Sequence, residues 1–188
     1  IGLGINDSIT NLDQKNNVVV EGPEDVYNLR AFKELESKDL KSNFINGGGA
    51  SNMGIVGTIL EGWDANVFYL YDNDQGMKDG AKNLKVWKVL PEVIKTVLKK
   101  KDTTIADILS LPDYKKLVLE DETLDYKTKN SEYIKAQNPK PDKVLISRKF
   151  LQSVKSSKII LDDVSKKNIK NLFEEIKFPE ESPEEKAK

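Results

Sequence analysis

VFYLYDND, residues Val67–Asp74, begins with five apolar or aromatic residues in succession. β-Branched and aromatic types in an unbroken short run suit a strand buried on both faces. The run ends on Asp72 and Asp74, one residue apart, with Gly76 just beyond. Acids that follow a buried strand sit where open α/β sheets place their sites. Two such anions raise each other's pKa, and a hard divalent cation with oxygen ligands relieves the repulsion. The plainer reading is a strand ending in a solvated Asp-Asn-Asp turn.

A second strand of the same kind, Val18–Val20, also stops at a carboxylate, Glu21. Gly22-Pro23 turns the chain into a helix predicted over about Pro23–Leu35, with Val26, Leu29, Ala31, Phe32 and Leu35 on its apolar side. Glu24 and Asp25 fall in its first turn, where the helix dipole favours negative charge. Asp25 is also four residues from Glu21, close enough to return to the strand end. A short strand, Phe44–Asn46, runs into Gly47-Gly48-Gly49 and a helix over about Met53–Glu61, capped by Ser51 or Asn52. Such a turn is able to cradle a phosphate, although neither the P-loop nor the dinucleotide-binding spacing is present.

Beyond Asp74 the pattern predicts a helix over about Met77–Val89, a strand or helix over Val93–Leu98, and short helices at Thr104–Ser110 and Pro112–Leu119. Residues 120–143 have few apolar anchors and read as a linker or insertion. Amphipathic helices follow at Val144–Val154 and Ser165–Ile176, with Ser165 as a cap. Residues 1–16 form a polar leading segment, and the charged tail over 177–188 reads as disordered. The order β-α-β-α-β-α-β implies an α/β fold with a mostly parallel sheet of about four strands and a C-terminal helical appendage. Adjacent parallel strands would then bring Glu21, Asp25, Asp72 and Asp74 to one edge.

The 188 residues include no cysteine and no histidine. Thiolate chemistry, histidine triads and histidine–metal sites are thereby excluded. Any catalysis rests on carboxylates, lysines, hydroxyls and metal ions. No apolar run reaches the length of a membrane span and no signal-peptide pattern opens the chain, so no membrane partner and a cytoplasmic location are expected. The chain opens on Ile1 in mid-pattern, as a fragment of something larger would. Net charge is −1, yet residues 138–170 carry nine Lys/Arg against three acids. That excess suits either phosphate binding or solvated helix faces.

Three segments together, VVVEGPEDVYNLRAF (18–32), INGGGASN (45–52) and GWDANVFYLYDNDQG (62–76), resemble the Toprim domain of OLD-family ATP-dependent endonucleases. The leading LGINDSITNLDQKN is similar to the segment joining that family's ATPase domain to its Toprim domain. The resemblance covers residues 2–110 strongly and 144–176 weakly. It implies a Toprim domain over 17–119, a DNA substrate, two Mg²⁺ or Mn²⁺ ions and hydrolysis of phosphodiester bonds. ATP would act only through an ATPase domain upstream, which would also be the route to a homodimer or larger assembly, and phage defence or DNA processing is the implied setting.

Carried over by position, Glu21 and Asp25 match one metal-binding pair, and Asp72 and Asp74 the other. The family's Ser/Thr-x-Glu-Asp element reads Thr104-Ile105-Ala106-Asp107 here, so its glutamate is missing. Either Asp107 compensates, or one ion binds poorly, or Ala106 marks an inactivated site. The family's C-terminal lysine matches Lys149, with Arg148 as its competitor. A catalytically weakened Toprim-like module for DNA docking or assembly is the alternative that Ala106 favours. An aspartate-nucleophile phosphatase shares the strand-then-DxD pattern but leaves Glu21 and the EGPxD turn unexplained.

Overall fold

A computed structural model of the chain describes residues 15–179, apart from the Asp79 side chain. Residues 1–14 of the expected leading segment and 180–188 of the expected disordered tail lie outside the described residues. The fold is α/β, with four parallel strands in the order β2-β1-β3-β4. These are β1 (Asn16–Val20), β2 (Asn43–Asn46), β3 (Asn66–Tyr71) and the short β4 (Ile94–Thr96). The two apolar runs that stood out in the sequence, β1 and β3, are the central pair, in register with Val20 opposite Leu70. Central parallel strands are covered on both faces, which is why both read as continuous apolar segments.

Alternation along the strands divides the core in two. Val18, Val20, Phe44 and Leu70 face one side; Val19, Ile45, Val67, Tyr69 and Tyr71 face the other. The second side is covered by α2 (Met53–Glu61) and α3 (Gln75–Val86). Glycine permits a close approach there: a side chain begun at Gly57 would collide with the Tyr69 hydroxyl, and one at Gly80 would lie 2.5 Å from the Tyr71 ring.

The first side carries α1 (Pro23–Glu36), α6 (Lys143–Ser156) and α7 (Asp163–Glu175). Between β4 and α6 lie a 3₁₀ turn (Ile105–Ile108), a short α4 (Leu111–Asp113) that widens into a π-turn at Tyr114–Val118, and α5 (Asn130–Ala136). The C-terminal helices are therefore integral to the core. Phe150 of α6 meets Phe32 of α1 edge-on at 6.1 Å, and Phe173 of α7 stacks on Phe44 of β2 at 6.4 Å.

Several local expectations change. Residues 120–143, read as a linker or insertion, contain α5, and Ile134 and Tyr126 are buried. The cap of α7 is Asp162, whose carboxylate accepts from Ser165 N at 2.8 Å; the Ser165 hydroxyl instead accepts from Ser110 N at 2.9 Å. The glycine turn does not present a phosphate cradle. Gly47 N and Gly49 N donate to the carbonyls of Val20 and Glu21, and Gly48 N donates to Asn46 Oδ1. Its function in the fold is to extend the β1–β2 ladder as far as Glu21, with Gly48 and Gly49 at positive φ.

If α6 is part of the core, Phe150→Ala should cost about 3–5 kcal/mol, the usual range for emptying a buried aromatic site. Urea unfolding monitored by circular dichroism measures this. A loss under about 1 kcal/mol would mean that α6 is only loosely attached.

Candidate metal centre

The strand ends meet as parallel pairing requires. Asp72 N, first beyond β3, donates to Glu21 Oε1, first beyond β1, at 3.2 Å. The intervening Asn73 locks the turn: its N donates to Thr103 O (2.8 Å), its O accepts from Asp102 N (2.7 Å), and Nδ2 donates to Leu98 O (2.9 Å). Asp72 and Asp74 are held on either side of that anchor. Asp74 caps α3, its Oδ1 accepting from Gly76 N at 2.7 Å, while Glu21 Oε2 lies 3.9 Å from where a Gly76 side chain would start. Gly76 thus leaves open the space that Glu21 and Asp74 share.

Asp25 is 7% exposed and accepts from Gly22 N at 2.9 Å through Oδ2, closing the first turn of α1. Asp72 Oδ1 accepts from Ile105 N at 2.9 Å. Each of these four acids therefore fixes one oxygen on a backbone N–H, and its second oxygen has no hydrogen bond among the described residues. Asp107 differs. Its Oδ2 accepts from Thr104 N (2.9 Å) and its Oδ1 from Ser131 N (3.0 Å), so both oxygens serve the local fold. Thr104 Oγ1 accepts from Ala106 N at 3.3 Å.

A cleft opens beside these groups, lined by Asp25, Asp72, Thr104 and Ala106 from one side and by Lys143 and Ser147 of α6 from the other. Asn28 Nδ2 donates to Ser147 Oγ at 2.9 Å and to Glu24 O at 2.9 Å, tying α6 to α1 at the cleft wall. Ala106, where the resembled family has its glutamate, is on this wall.

Lys149 is not among the residues that line the cleft. The inward stripe of α6 runs Ser147, Phe150, Val154, and Lys143, four residues before Ser147, is exposed but lines the cleft. Lys149 and Arg148 fall off that stripe and are exposed. The cation of this helix at the cleft is Lys143, which the sequence reading left in the preceding linker. Asp142 is the cap that starts the helix one residue earlier, accepting from Leu145 N at 3.0 Å.

Electrostatics mark this edge as under strain. Burial first, then the charges of Asp25 and Glu21, pushes Asp72 up to about 9. Burial, then Glu24, lifts Asp25 to about 7, against the opposing pull of Gly22 N–H and the Lys143 ammonium. Burial likewise raises Glu21, with Asp74 and Glu24 adding to the effect. Among the described residues no three acids yet converge closely enough to hold an ion as they stand. The donor set nonetheless fits Mg²⁺ or Mn²⁺: hard oxygens, one free on each acid, crowded enough to repel.

No family model matches the chain, and no curated protein or solved structure matches it. Among the described residues no helix is long and apolar enough to cross a membrane.

The raised acids set a direction for pH dependence. The folded chain keeps protons on Asp25 and Asp72 that the unfolded chain loses near pH 4. Metal-free stability should therefore be greatest near pH 4 and fall as pH rises from there, until about 7 for the part due to Asp25 and about 9 for the part due to Asp72. In chelator, Tm should drop by roughly 5 °C or more across that window, and Asp72→Asn should remove much of the drop. A Tm that rises over the same range in differential scanning fluorimetry would contradict the crowding.

Proposed function

We propose that this chain is the Toprim nuclease part of an OLD-family ATPase-nuclease, hydrolysing phosphodiester bonds of DNA with divalent metal ions. The observation that carries the reading is the meeting of Glu21 and Asp72 at the ends of adjacent parallel strands, with Asp25 and Asp74 beside them. Without histidine or cysteine, an acidic cluster of this kind has few chemical uses other than holding a cation. Glu21, Asp25, Asp72 and Asp74 would hold the ions, which supply an activated water and neutralise the phosphate when bound. The substrate class, the ATPase domain upstream and the cytoplasmic setting in phage defence or DNA processing all belong to this proposal.

The chain's own residues then divide the remaining work. Backbone N–H groups of Gly22, Asp72, Gly76 and Ile105 orient one oxygen of each acid, so the site is half-built before any ion enters. Lys143 projects from the opposite wall, where it meets negative charge growing on a phosphate bound over the acids. Asn28 and Ser147 position Lys143 by fixing α6 against α1. On this reading Lys143, at the cleft, is the lysine to weigh against Lys149, the residue that the resemblance implies.

One observation favours a second reading, a catalytically weakened module for DNA docking or assembly. Ala106 brings no carboxylate to the cleft wall, and each oxygen of Asp107 already accepts from a backbone donor.

Nicking of supercoiled plasmid in Mn²⁺ separates the two. The nuclease reading predicts nicking that chelator and Asp72→Ala abolish. Lys143→Ala should lower the single-turnover rate about 100-fold, whereas Lys149→Ala should change it less than about 3-fold. Nicking seen only in Ala106→Glu would establish the docking reading. Equal losses in the two lysine variants would remove Lys143 from the chemistry.

A further inference from the structure

Helix α6, KVLISRKFLQSVKS, carries four cations and no acid. Its neighbours on the same face of the sheet are mixed. α1 interleaves Arg30 and Lys33 with Glu34 and Glu36, and α7 sets Lys166, Lys167 and Lys170 against Asp163, Glu174 and Glu175. Mixed signs are what a solvated helix face ordinarily shows, because like charges repel and opposite ones pair. Between those two helices Lys170 pairs with Glu36 at 3.8 Å. Arg148, Lys149 and Lys155 of α6 form no ion pair among the described residues. All three are exposed and point away from the inward stripe of Ser147, Phe150 and Val154. The rest of the outer face, Leu145, Gln152 and Ser156, is uncharged. The helix dipole accounts for Lys155, in the last turn, but not for Arg148 and Lys149 in mid-helix. The cap Asp142 lies at the other end, with one oxygen accepting from Leu145 N.

We propose that the outer face of α6 is a phosphate-binding track for a nucleic-acid strand that leads into the cleft. The choice of DNA as that polyanion rests on the nuclease reading. The cleft cannot supply the grip by itself. Glu24, Asp25 and Asp72 line it and repel phosphate, and Lys143 is the one cation among its described lining residues. Affinity for a polyanion then has to come from cations outside the acids, where each phosphate contact releases counterions. α6 starts at the cleft with Lys143 and runs away from it, so Arg148, Lys149 and Lys155 carry a strand's path onward from the acids. From Arg148 to Lys155 the helix rises about 10 Å. One strand of a duplex presents a phosphate about every 3.4 Å of axis, so three cations over that length suit about three phosphates. Gln152, between them, adds an amide donor of the kind that also contacts phosphate oxygens.

Fluorescence anisotropy of a labelled duplex DNA, titrated with the full chain over a salt series, is the test. Chelator is present throughout, so no cleavage intervenes, and the track lies outside the cleft and does not wait for ions. Arg148→Gln/Lys149→Gln/Lys155→Gln should bind at least about 10-fold more weakly at low salt and flatten the salt slope by about 2–3. Lys38→Gln/Lys41→Gln/Lys85→Gln, an equal charge change at exposed sites off α6, should keep the wild-type slope. Circular dichroism and Tm should be unchanged in both. Equal losses in the two triple variants, as net charge alone would produce, overturn the proposal. So does a wild-type chain that binds no DNA at low salt, which would leave the face to an acidic protein partner. Plasmid nicking reports on the cleft separately. Binding that depends on α6 without any nicking removes the nuclease reading and keeps the track, and nicking with binding indifferent to α6 does the reverse.

Discussion

Four acids are packed at one sheet edge because the backbone leaves them nowhere else to go. The parallel register of β1 on β3 sets Glu21 beside Asp72. The capping hydrogen bonds of α1 and α3 hold Asp25 and Asp74 close by. Burial then makes the crowding expensive, as the raised protonation of Asp72 and Asp25 records. The fold tolerates this because each acid has a backbone N–H on one oxygen. A charge-assisted hydrogen bond offsets part of the desolvation of its own group but does nothing about repulsion between neighbours. A shared cation would answer that remaining repulsion, and the proposed nuclease chemistry depends on it.

The far side of the cleft depends on a different interaction. Helix α6 is set on α1 by the Phe32–Phe150 contact and the Asn28–Ser147 hydrogen bond, and only that register brings Lys143 to the acids. This explains which parts were legible in the sequence. Buried strands announce themselves as apolar runs, and parallel pairing is a general rule, so the sheet and the meeting of Glu21 with Asp72 could be read before any coordinates. The rotation of a helix about its axis is fixed by contacts distant in sequence. With α6 started at Val144, Lys143 fell in the preceding segment, and the lysine assignment followed the resemblance to Lys149. The Asp142 cap was the signal that would have moved the start.

The segment between residues 120 and 143 was illegible for a related reason. Its attachment is polar and aromatic, not periodic and aliphatic. Asn130 Nδ2 donates to the carbonyls of Ala106 and Leu109, both at 2.9 Å, and Tyr126 stacks on Tyr133 at 3.9 Å. Such anchors leave no hydrophobic pattern to detect, yet they fix the 3₁₀ turn whose Ile105 N–H orients Asp72. Asp107 carries a structural role as well. A carboxylate in a Thr-x-x-Asp pattern serves as a helix cap as readily as a ligand, and here the cap and Ser131 N take both oxygens. The two faces of the sheet thus differ: one is closed by C-terminal helices that complete the cleft, and the other is covered by α2 and α3.

The central claim is that the crowded edge is a cation site, and anomalous diffraction from crystals of the chain soaked in Mn²⁺ tests it most directly. The account predicts at least one Mn²⁺ peak with Asp72 in its ligand shell, together with oxygens from Glu21, Asp25 or Asp74. Crystals that take up Mn²⁺ only elsewhere, or not at all while Asp72 keeps its present contacts, would contradict it.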